Sequence, residues 1–376
     1  MTSGAPMGEL DRQRMLQALA LAEQAIGLSE PNPRVGCVLG FADGRVIGQG
    51  HTQRIGGPHA EVMALRDAAA QGLSTAGATA WVTLEPCAHH GRTPPCCDAL
   101  VAAGVARAVV AMVDPFPQVA GEGLARLRAA GISVVLADAD LTAAARDLNL
   151  GFLSRIERGR PWVRLKAALT IDGISALHNG VSQWITGDEA RRDGHQWRKR
   201  AGAVLTGSGT VQADNPRLDV RLVDTQVQPM RILLDSSLRC APDVRMLQAP
   251  GPTLVVHSQA SAERTQAFEA AQVPLLSLPG HDGRVDLPAL LHHLAERHVN
   301  ELHVEAGARL NAAWLQAGLV DELLVYQAPR LAGPGQGLAA WPALSTLSAA
   351  LDFHRIDCTA VGRDLRLRFL AHEPAI

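Results

Sequence analysis

Short apolar runs alternate with segments of helical spacing along the chain, and this alternation restricts the fold more than any other property of the sequence. In the first half, "LDRQRMLQALALAEQA" (Leu10 to Ala25) carries apolar residues at helical spacing and stops at Gly27. "VGCVLGFADGRVIGQG" predicts two short strands joined by a turn at Asp43-Gly44. "HAEVMALRDAAAQG" predicts a helix stopped by Gly72. "ATAWVTLEPC", "RAVVAMVDP" and "ISVVLAD" predict strands, with "CDALVAAG" and "GLARLRAAG" as helices between them. Such alternation implies a largely parallel, helix-covered sheet. Near residue 150 the pattern pauses, and Arg158 to Pro161 make a hinge. Beyond it "WVRLKAAL", "AVLTG", "MRILLDS", "TLVVHS", "ELHVEAG" and "ELLVYQAP" predict strands, with helices at "LPALLHHLAERH" and "ARLNAAWLQAG". With 376 residues to place, the expectation is two α/β domains, 1–150 and 161–376, joined by a linker at 151–160.

Composition narrows the class. Hydrophobic residues make up 47% and aromatics 3%, so the cores must be aliphatic. A formal net charge of −2 gives no electrostatic reason for a nucleic-acid or membrane partner. No apolar run is long enough to span a bilayer, and the start "MTSGAPMGELDRQRM" has no apolar signal core. Six cysteines spread over such a chain do not form a disulfide framework, so a cytoplasmic enzyme is expected.

Three of those six cysteines stand in "EPCAHHGRTPPCCD", Glu85 to Asp98, beside two histidines and three prolines. Catalytic zinc takes three protein ligands and keeps one position open. Cys87 and Cys96 supply two, and His59 in "PHAEV" supplies a third, with Glu61 two residues later as a proton carrier. Residues i and i+2 of a regular helix point about 200° apart. His59 and Glu61 can therefore share a site only if His59 sits at the helix mouth, which Pro58 fits. Pro94 and Pro95 likewise put Cys96 at a helix start, where the dipole favours a thiolate. Alternatives stay open at this point: Cys97 in place of Cys96, a structural zinc with His89 or His90 as fourth ligand, or a Cys87–Cys96 disulfide. Iron fits the same residue types nearly as well as zinc. Cys37, Cys240 and Cys358 read as packing residues or ordinary thiols.

H-x-E followed later by P-C…C is the pattern of zinc base deaminases, although here the second half is P-C-x8-C. In the second half, "VLTGSGTVQADNP" places Gly207 and Gly209 around Ser208 at a strand-to-helix turn whose bare amides can cradle phosphate. "VEAGARLNAAW" repeats the arrangement at Gly307. Neither is a G-x-G-x-x-G fingerprint, so a Rossmann domain is not supported.

Taken together, "PNPRVGCV", "PHAE", "TLEPCAHHGRTPPC", "RLKAALTIDGISA", "SQWITGDEAR", "TGSGTVQADNPRLDVR" and "HVEAGARLNAAWL" resemble the bifunctional deaminase/reductase family of riboflavin biosynthesis over nearly the whole chain. The resemblance implies a cytidine-deaminase-like three-layer N-terminal domain and a dihydrofolate-reductase-like α/β C-terminal domain. It implies zinc-dependent deamination of a phosphoribosylated diaminopyrimidine, then NADPH-dependent reduction of the ribosyl side chain. His59, Cys87 and Cys96 would hold zinc, Glu61 would shuttle protons, and Asn32 and His51 would line the pyrimidine pocket. Ala168, Trp184, Thr210, Asp214, Ser236 and Gly307 fall where NADPH contacts lie. Lys166, Ser182, Arg198, Leu218, Arg221 and Glu305 fall where substrate contacts lie, with Arg198 and Arg221 suited to the substrate phosphate. Without the resemblance Trp184 reads as a core aromatic, Glu305 as a structural acid and either arginine as a solvated surface residue. The family association also implies a homo-oligomer working on small phosphorylated pyrimidines. The chain departs from the family at Ile174, where arginine is common, and at Ala306 and Ala308, where glycine and proline are common. The extra methyl of Ala306 is expected to crowd a backbone–phosphate approach. Two rival classes remain: a deaminase of free or nucleic-acid bases, which would favour a basic face, and a zinc-stabilised interaction module, which would leave Glu61 without a task.

Overall fold

A computed structural model of the chain describes residues 7–89, 94–116 and 120–371, and it divides into two units, Met1–Gly159 and Arg160–Ile376. The first unit has strands β1 (Gly36–Gly40), β2 (Val46–His51), β3 (Thr79–Val82), β4 (Arg107–Val110) and β5 (Ser133–Leu136), in the order β2-β1-β3-β4-β5. Only β3, β4 and β5 run parallel; β1 is antiparallel to both β2 and β3. The expected largely parallel sheet is thus half right. A tight turn such as the one at Gly44, φ +87°, can join only antiparallel strands.

The helices are α1 (Glu9–Glu23), α2 (Ala60–Ala70), α3 (Cys96–Ala102), α4 (Glu122–Ala129), α5 (Ala139–Leu148) and α6 (Leu150–Arg158). Glycines let two of them lie close on opposite faces. A Cβ on Gly36 would stand 1.9 Å from the Ala18 carbonyl oxygen of α1, and one on Gly48 would stand 2.2 Å from that of Ala64 in α2. The result is a helix–sheet–helix sandwich. Asp11, buried on α1, ties the layers together by accepting from Trp81 Nε1 at 2.8 Å and from Arg107 at 2.6 and 2.8 Å. The stretch 151–160, expected as a linker, is helical through Arg158. Leu153 is buried and Phe152 packs on the core of the first unit, so the apolar face of α6 outweighs the charged residues around it.

The second unit holds β6 (Trp162–Thr170), β7 (Ala176–Leu177), β8 (Ala203–Gly207), β9 (Met230–Leu234), β10 (Thr253–His257), β11 (Leu275–Ser277), β12 (Glu301–Val304), β13 (Glu322–Ala328), β14 (Gly335–Gln336), β15 (His354–Val361) and β16 (Asp364–Leu370). Nine of these form one sheet, β11-β10-β9-β8-β12-β6-β13-β16-β15, and β7 pairs with β14. The sheet is parallel from β11 to β13 and ends in the antiparallel hairpin β15–β16. Its helices are α7 (Asp188–Arg200), α8 (Ser208–Asp214), α9 (Arg245–Gln248), α10 (Ala262–Ala270), α11 (Leu287–Glu296) and α12 (Ala308–Gln316).

Strand periodicity explains the two helix layers. Leu205, Ile232, Leu234 and Leu254 join one core with Leu290, Leu294 and Trp314, whereas their neighbours Val204, Leu233 and Val255 join another with Val211, Met246 and Phe268. Both faces are covered, as a parallel sheet requires. In such folds ligands bind outside the carboxyl ends of the strands.

Candidate functional site

His59 is the extended residue just before α2 (φ −76°, ψ 171°), and Cys96 is the first residue of α3. Both therefore stand at helix mouths. His59 Nδ1 lies 3.6 Å from Cys87 Sγ and 3.3 Å from Cys96 Sγ, and the three donor atoms lie within 4.8 Å of one another. A tetrahedral zinc with N and S bonds of about 2.0 and 2.3 Å has N···S edges of about 3.5 Å, so the donor set fits such an ion. Among the described residues no fourth metal-binding side chain joins the group.

The alternatives resolve on geometry. Cys97 is buried and turns its thiol to the carbonyl oxygens of Pro86 (3.0 Å) and Gly123 (3.5 Å), so the cluster uses Cys96. Both Cys87 and Cys96 are free thiols rather than a disulfide. His89 is exposed and outside the donor group, while His90 lies outside the described residues. Hydrogen bonds with the Cys96 thiol, then with His59 and the Cys96 backbone N–H (3.3 Å), hold the Cys87 thiol well below its ordinary value against the effect of burial. The Cys96 thiol is correspondingly raised by that shared proton and by burial. Glu61 is 3% exposed. Burial, then the Cys87 thiolate, raises its carboxyl to about 7.

One supporting residue has no counterpart in the sequence-based set. Glu85, buried at the end of the β3 segment, accepts the backbone N–H groups of Asp114 (3.0 Å), Gly121 (3.0 Å) and Leu124 (3.1 Å). It fixes the chain two residues ahead of Cys87. Gly123 leaves it room, since a Cβ there would meet the Pro86 carbonyl oxygen at 2.1 Å. Asn32 sits in the turn closed by its N–H to the Ser29 carbonyl, and His51 ends β2; both are half-buried. Burial lowers the His51 pKa.

In the second unit a cleft of about 990 Å³ opens between the turn after β8 and the turn after β12. Ala168, Thr210, Asp214, Ser236 and Gly307 line it, as do Lys166, Ser182 and Glu305. The two glycine turns face each other: a Cβ on Gly307 would lie 3.7 Å from Thr210 Oγ1, and one on Gly207 would lie 3.0 Å from Leu310 Cδ2. Ser182 Oγ donates to Asp214 at 3.3 Å. Arg239, Arg284 and Arg309 also line the cleft; they come from two loops and one helix start, and no local pattern singles them out.

Four expected contacts do not line the cleft. Trp184 is 60% exposed with the Arg191 guanidinium 4.6 Å from its ring centre, so it is neither a core aromatic nor a cleft residue. Leu218 buries its side chain among Val204, Val211 and Leu233 and has φ +55°. Arg198 stands behind the cleft wall, paired with Glu305 at 2.5 and 2.9 Å. Arg221 is half exposed and pairs with Asp219 at 2.7 Å. Of the departures from the family, Ala306 and Ala308 both line the cleft, Ala308 at the buried start of α12, and Ile174 fills the space left by Gly335. Burial lowers the Lys166 pKa, with Arg198 adding to it and Glu305 opposing.

Comparison with known proteins covers both units. Residues 9–112 match the family described as "Cytidine and deoxycytidylate deaminase zinc-binding region", and residues 161–367 match "RibD C-terminal domain". "Riboflavin biosynthesis protein RibD" of Escherichia coli (strain K12) is 46% identical over 373 residues, covering 96% of this chain and 99% of that one. The protein of the same name from Aquifex aeolicus (strain VF5) is 38% identical, covering 96% and 98%. Among solved structures, Acinetobacter baumannii RibD aligns with a TM-score of 0.85 at 39% identity, covering 96% of this chain and 99% of that chain. A Thermotoga maritima structure titled as a diaminohydroxyphosphoribosylaminopyrimidine deaminase and 5-amino-6-(5-phosphoribosylamino)uracil reductase aligns at 0.86 and 32% identity, covering 96% and 98%.

Proposed function

The chain belongs to the RibD family of bifunctional deaminase/reductases of riboflavin biosynthesis, and on that premise we propose how its residues divide the two reactions. His59, Cys87 and Cys96 hold zinc at the mouths of α2 and α3. Zinc so held would lower the pKa of a bound water and so supply a nucleophile at neutral pH. Glu61 carries the proton of the attacking water to the pyrimidine ring nitrogen, then the proton of the new hydroxyl to the amino group, which leaves as ammonia as the carbonyl forms. Its burial suits it to both tasks, since a buried carboxyl takes up a proton more readily than an exposed one and can return it. Asn32 and His51 orient the ring. The substrate is 2,5-diamino-6-(5-phosphoribosylamino)pyrimidin-4-one and the product is the corresponding uracil.

The cleft of the second unit would take NADPH, whose chemistry is hydride donation; reduction at the ribosyl C1 breaks the ring C1–O bond, and that oxygen takes a proton to leave a ribityl chain. The residues meet a positioning task, holding donor and acceptor carbons together. Ala168, Thr210, Asp214, Ser236 and the Gly307 turn contact the cofactor, with Trp184 at the margin. Lys166, Ser182 and Glu305 face the substrate, and Arg198, Leu218 and Arg221 frame it from behind the cleft wall. Leu218 does so through its backbone, since its side chain is in the core. The same reading makes the protein a cytoplasmic homo-oligomer.

The observation that carries this is the His59–Cys87–Cys96 group beside a buried Glu61, in a chain matched along its length by such enzymes. Purified protein given the diaminopyrimidine phosphate is expected to release ammonia without NADPH. NADPH oxidation is expected only after the uracil has formed. Glu61→Gln is expected to slow ammonia release at least about a hundredfold while reduction of supplied uracil continues. Loss of both reactions together would overturn the division.

A further inference from the structure

We propose that Gln228 and His195 are positioning residues of the reductase, holding the loop 217–221 so that Arg221 meets the substrate. This rests on the assignment of Arg221 to the substrate made above. The two side chains act on consecutive backbone groups. Val220 N–H donates to Gln228 Oε1 at 2.8 Å, and Gln228 Nε2 donates to the Val220 carbonyl oxygen at 2.8 Å. The next amide, Arg221 N–H, donates to His195 Nδ1 at 3.1 Å. On the other side of Val220, Arg198 Nη1 donates to the Asp219 carbonyl oxygen at 3.1 Å. The same arginine pairs with Glu305, which lines the cleft. The loop is therefore tied to the cleft wall through one guanidinium.

Such a loop needs holding. Leu218 has φ +55°, a conformation that a residue with a branched bulk keeps only when its surroundings fix it. Leu218 and Val220 are each 3% exposed, so both side chains are anchored and the backbone between them carries the remaining freedom. Gly251 makes room for the stem of Gln228, since a Cβ there would stand 2.6 Å from Gln228 Cβ. His195 is 5% exposed and lies one helical turn before Arg198 on α7, so both reach the loop from one helix face. Burial, with Arg198 and Arg221 nearby and Glu305 and Asp219 opposing, holds the His195 pKa down at about 4. The imidazole is thus neutral at neutral pH, and Nδ1 keeps the lone pair that accepts from Arg221. Neither Gln228 nor His195 lines the cleft, so any effect on turnover must pass through the loop.

The test uses the full chain with NADPH and supplied uracil substrate. Gln228→Leu and His195→Leu are each expected to raise the substrate KM about tenfold, the scale of one or two lost hydrogen bonds. Little change is expected in kcat, in NADPH affinity by fluorescence titration, or in ammonia release by the first unit. His195→Asn, which keeps an acceptor near the Nδ1 position, is expected to restore most of the KM. Arg221→Ala separates the two levels. If it raises KM while the Gln228 and His195 variants do not, the positioning role is overturned and the assignment of Arg221 stands. If Arg221→Ala leaves KM unchanged, the assignment fails and the proposal falls with it. An equal loss of NADPH affinity and substrate affinity in the leucine variants would show a merely structural role and overturn the proposal.

Discussion

The two sites are built from different materials. The first gathers one imidazole and two sulfurs from stretches 28 residues apart, with His59 and Cys96 at helix starts and Cys87 in the segment before α3, so its chemistry sits in side chains. The second draws on the ends of β6, β8, β9 and β12 and exposes turns with little or no side chain, so its chemistry sits in shape and in backbone amides. A site made of a few donors fails completely when one is removed. A site made of many weak contacts degrades by steps.

The largest expected effect tests the first half of that contrast. Cys96→Ser should lose bound zinc and ammonia release together, because only two strong donors remain. Cys97→Ser should retain both, since its thiol bonds to the Pro86 and Gly123 carbonyls instead. Metal content by mass spectrometry or a chromogenic chelator, read beside ammonia release, checks the pair. Equal metal loss in the two variants would return Cys97 to the ligand set.

The same contrast explains what could be read from the sequence. His59, Glu61, Cys87 and Cys96 announce themselves because metal donors are rare residue types at fixed spacing beside Pro58, Pro94 and Pro95. The parallel strands are legible because a strand buried on both faces is a continuous apolar run, as in "AVLTG" and "TLVVHS". The hairpin β15–β16 is not, because "HRIDCTAV" is a largely exposed edge strand and "DLRLRFL" beside it is mostly half-buried, with charges between the apolar positions of both. Glu85 escapes notice because its partners are backbone amides 29, 36 and 39 residues away. Arg239, Arg284 and Arg309 escape because an arginine that lines a cleft has the same local sequence as one in water. Ala168, Thr210 and Ser236 line the cleft, and residue chemistry alone does not single them out.

A smaller effect is expected at the cleft. Gly307 has φ −79°, which any residue adopts, and a Cβ there meets nothing closer than 3.7 Å. Gly307→Ala should therefore leave the melting temperature unchanged. The methyl would stand where a ligand approaches backbone, and a loss of NADPH affinity of about three- to tenfold is expected. Fluorescence titration checks it. A hundredfold loss would mean that the cleft depends on one contact as the metal group does, and the contrast between the sites would collapse.

The smallest effect separates the two units by their response to acid. Asp11 in the first unit is held down at about 2; burial opposes this, but the Arg107 bond and the Gly8 and Trp81 donors prevail. Its contribution is present above the ordinary carboxyl value of 3.8 and is lost only as pH falls towards 2. His195 in the second unit is depressed from 6.5 to about 4 by burial and by Arg198 and Arg221. Between those values the unfolded chain binds a proton that the folded chain refuses, so stability falls as pH drops from 6.5 towards 4. His195 therefore weakens the second unit on mild acidification, at pH values where Asp11 still stabilises the first. Urea unfolding of wild type and His195→Asn at pH 7, 5.5 and 4.5, conditions chosen to span that window, reads the term directly. Asparagine does not titrate, so the variant should gain relative to wild type as pH falls, with most of the gain between 6.5 and 4. A difference that does not change with pH would mean that folding leaves the His195 pKa where it stands in the unfolded chain, so that burial and the two arginines do not hold it down.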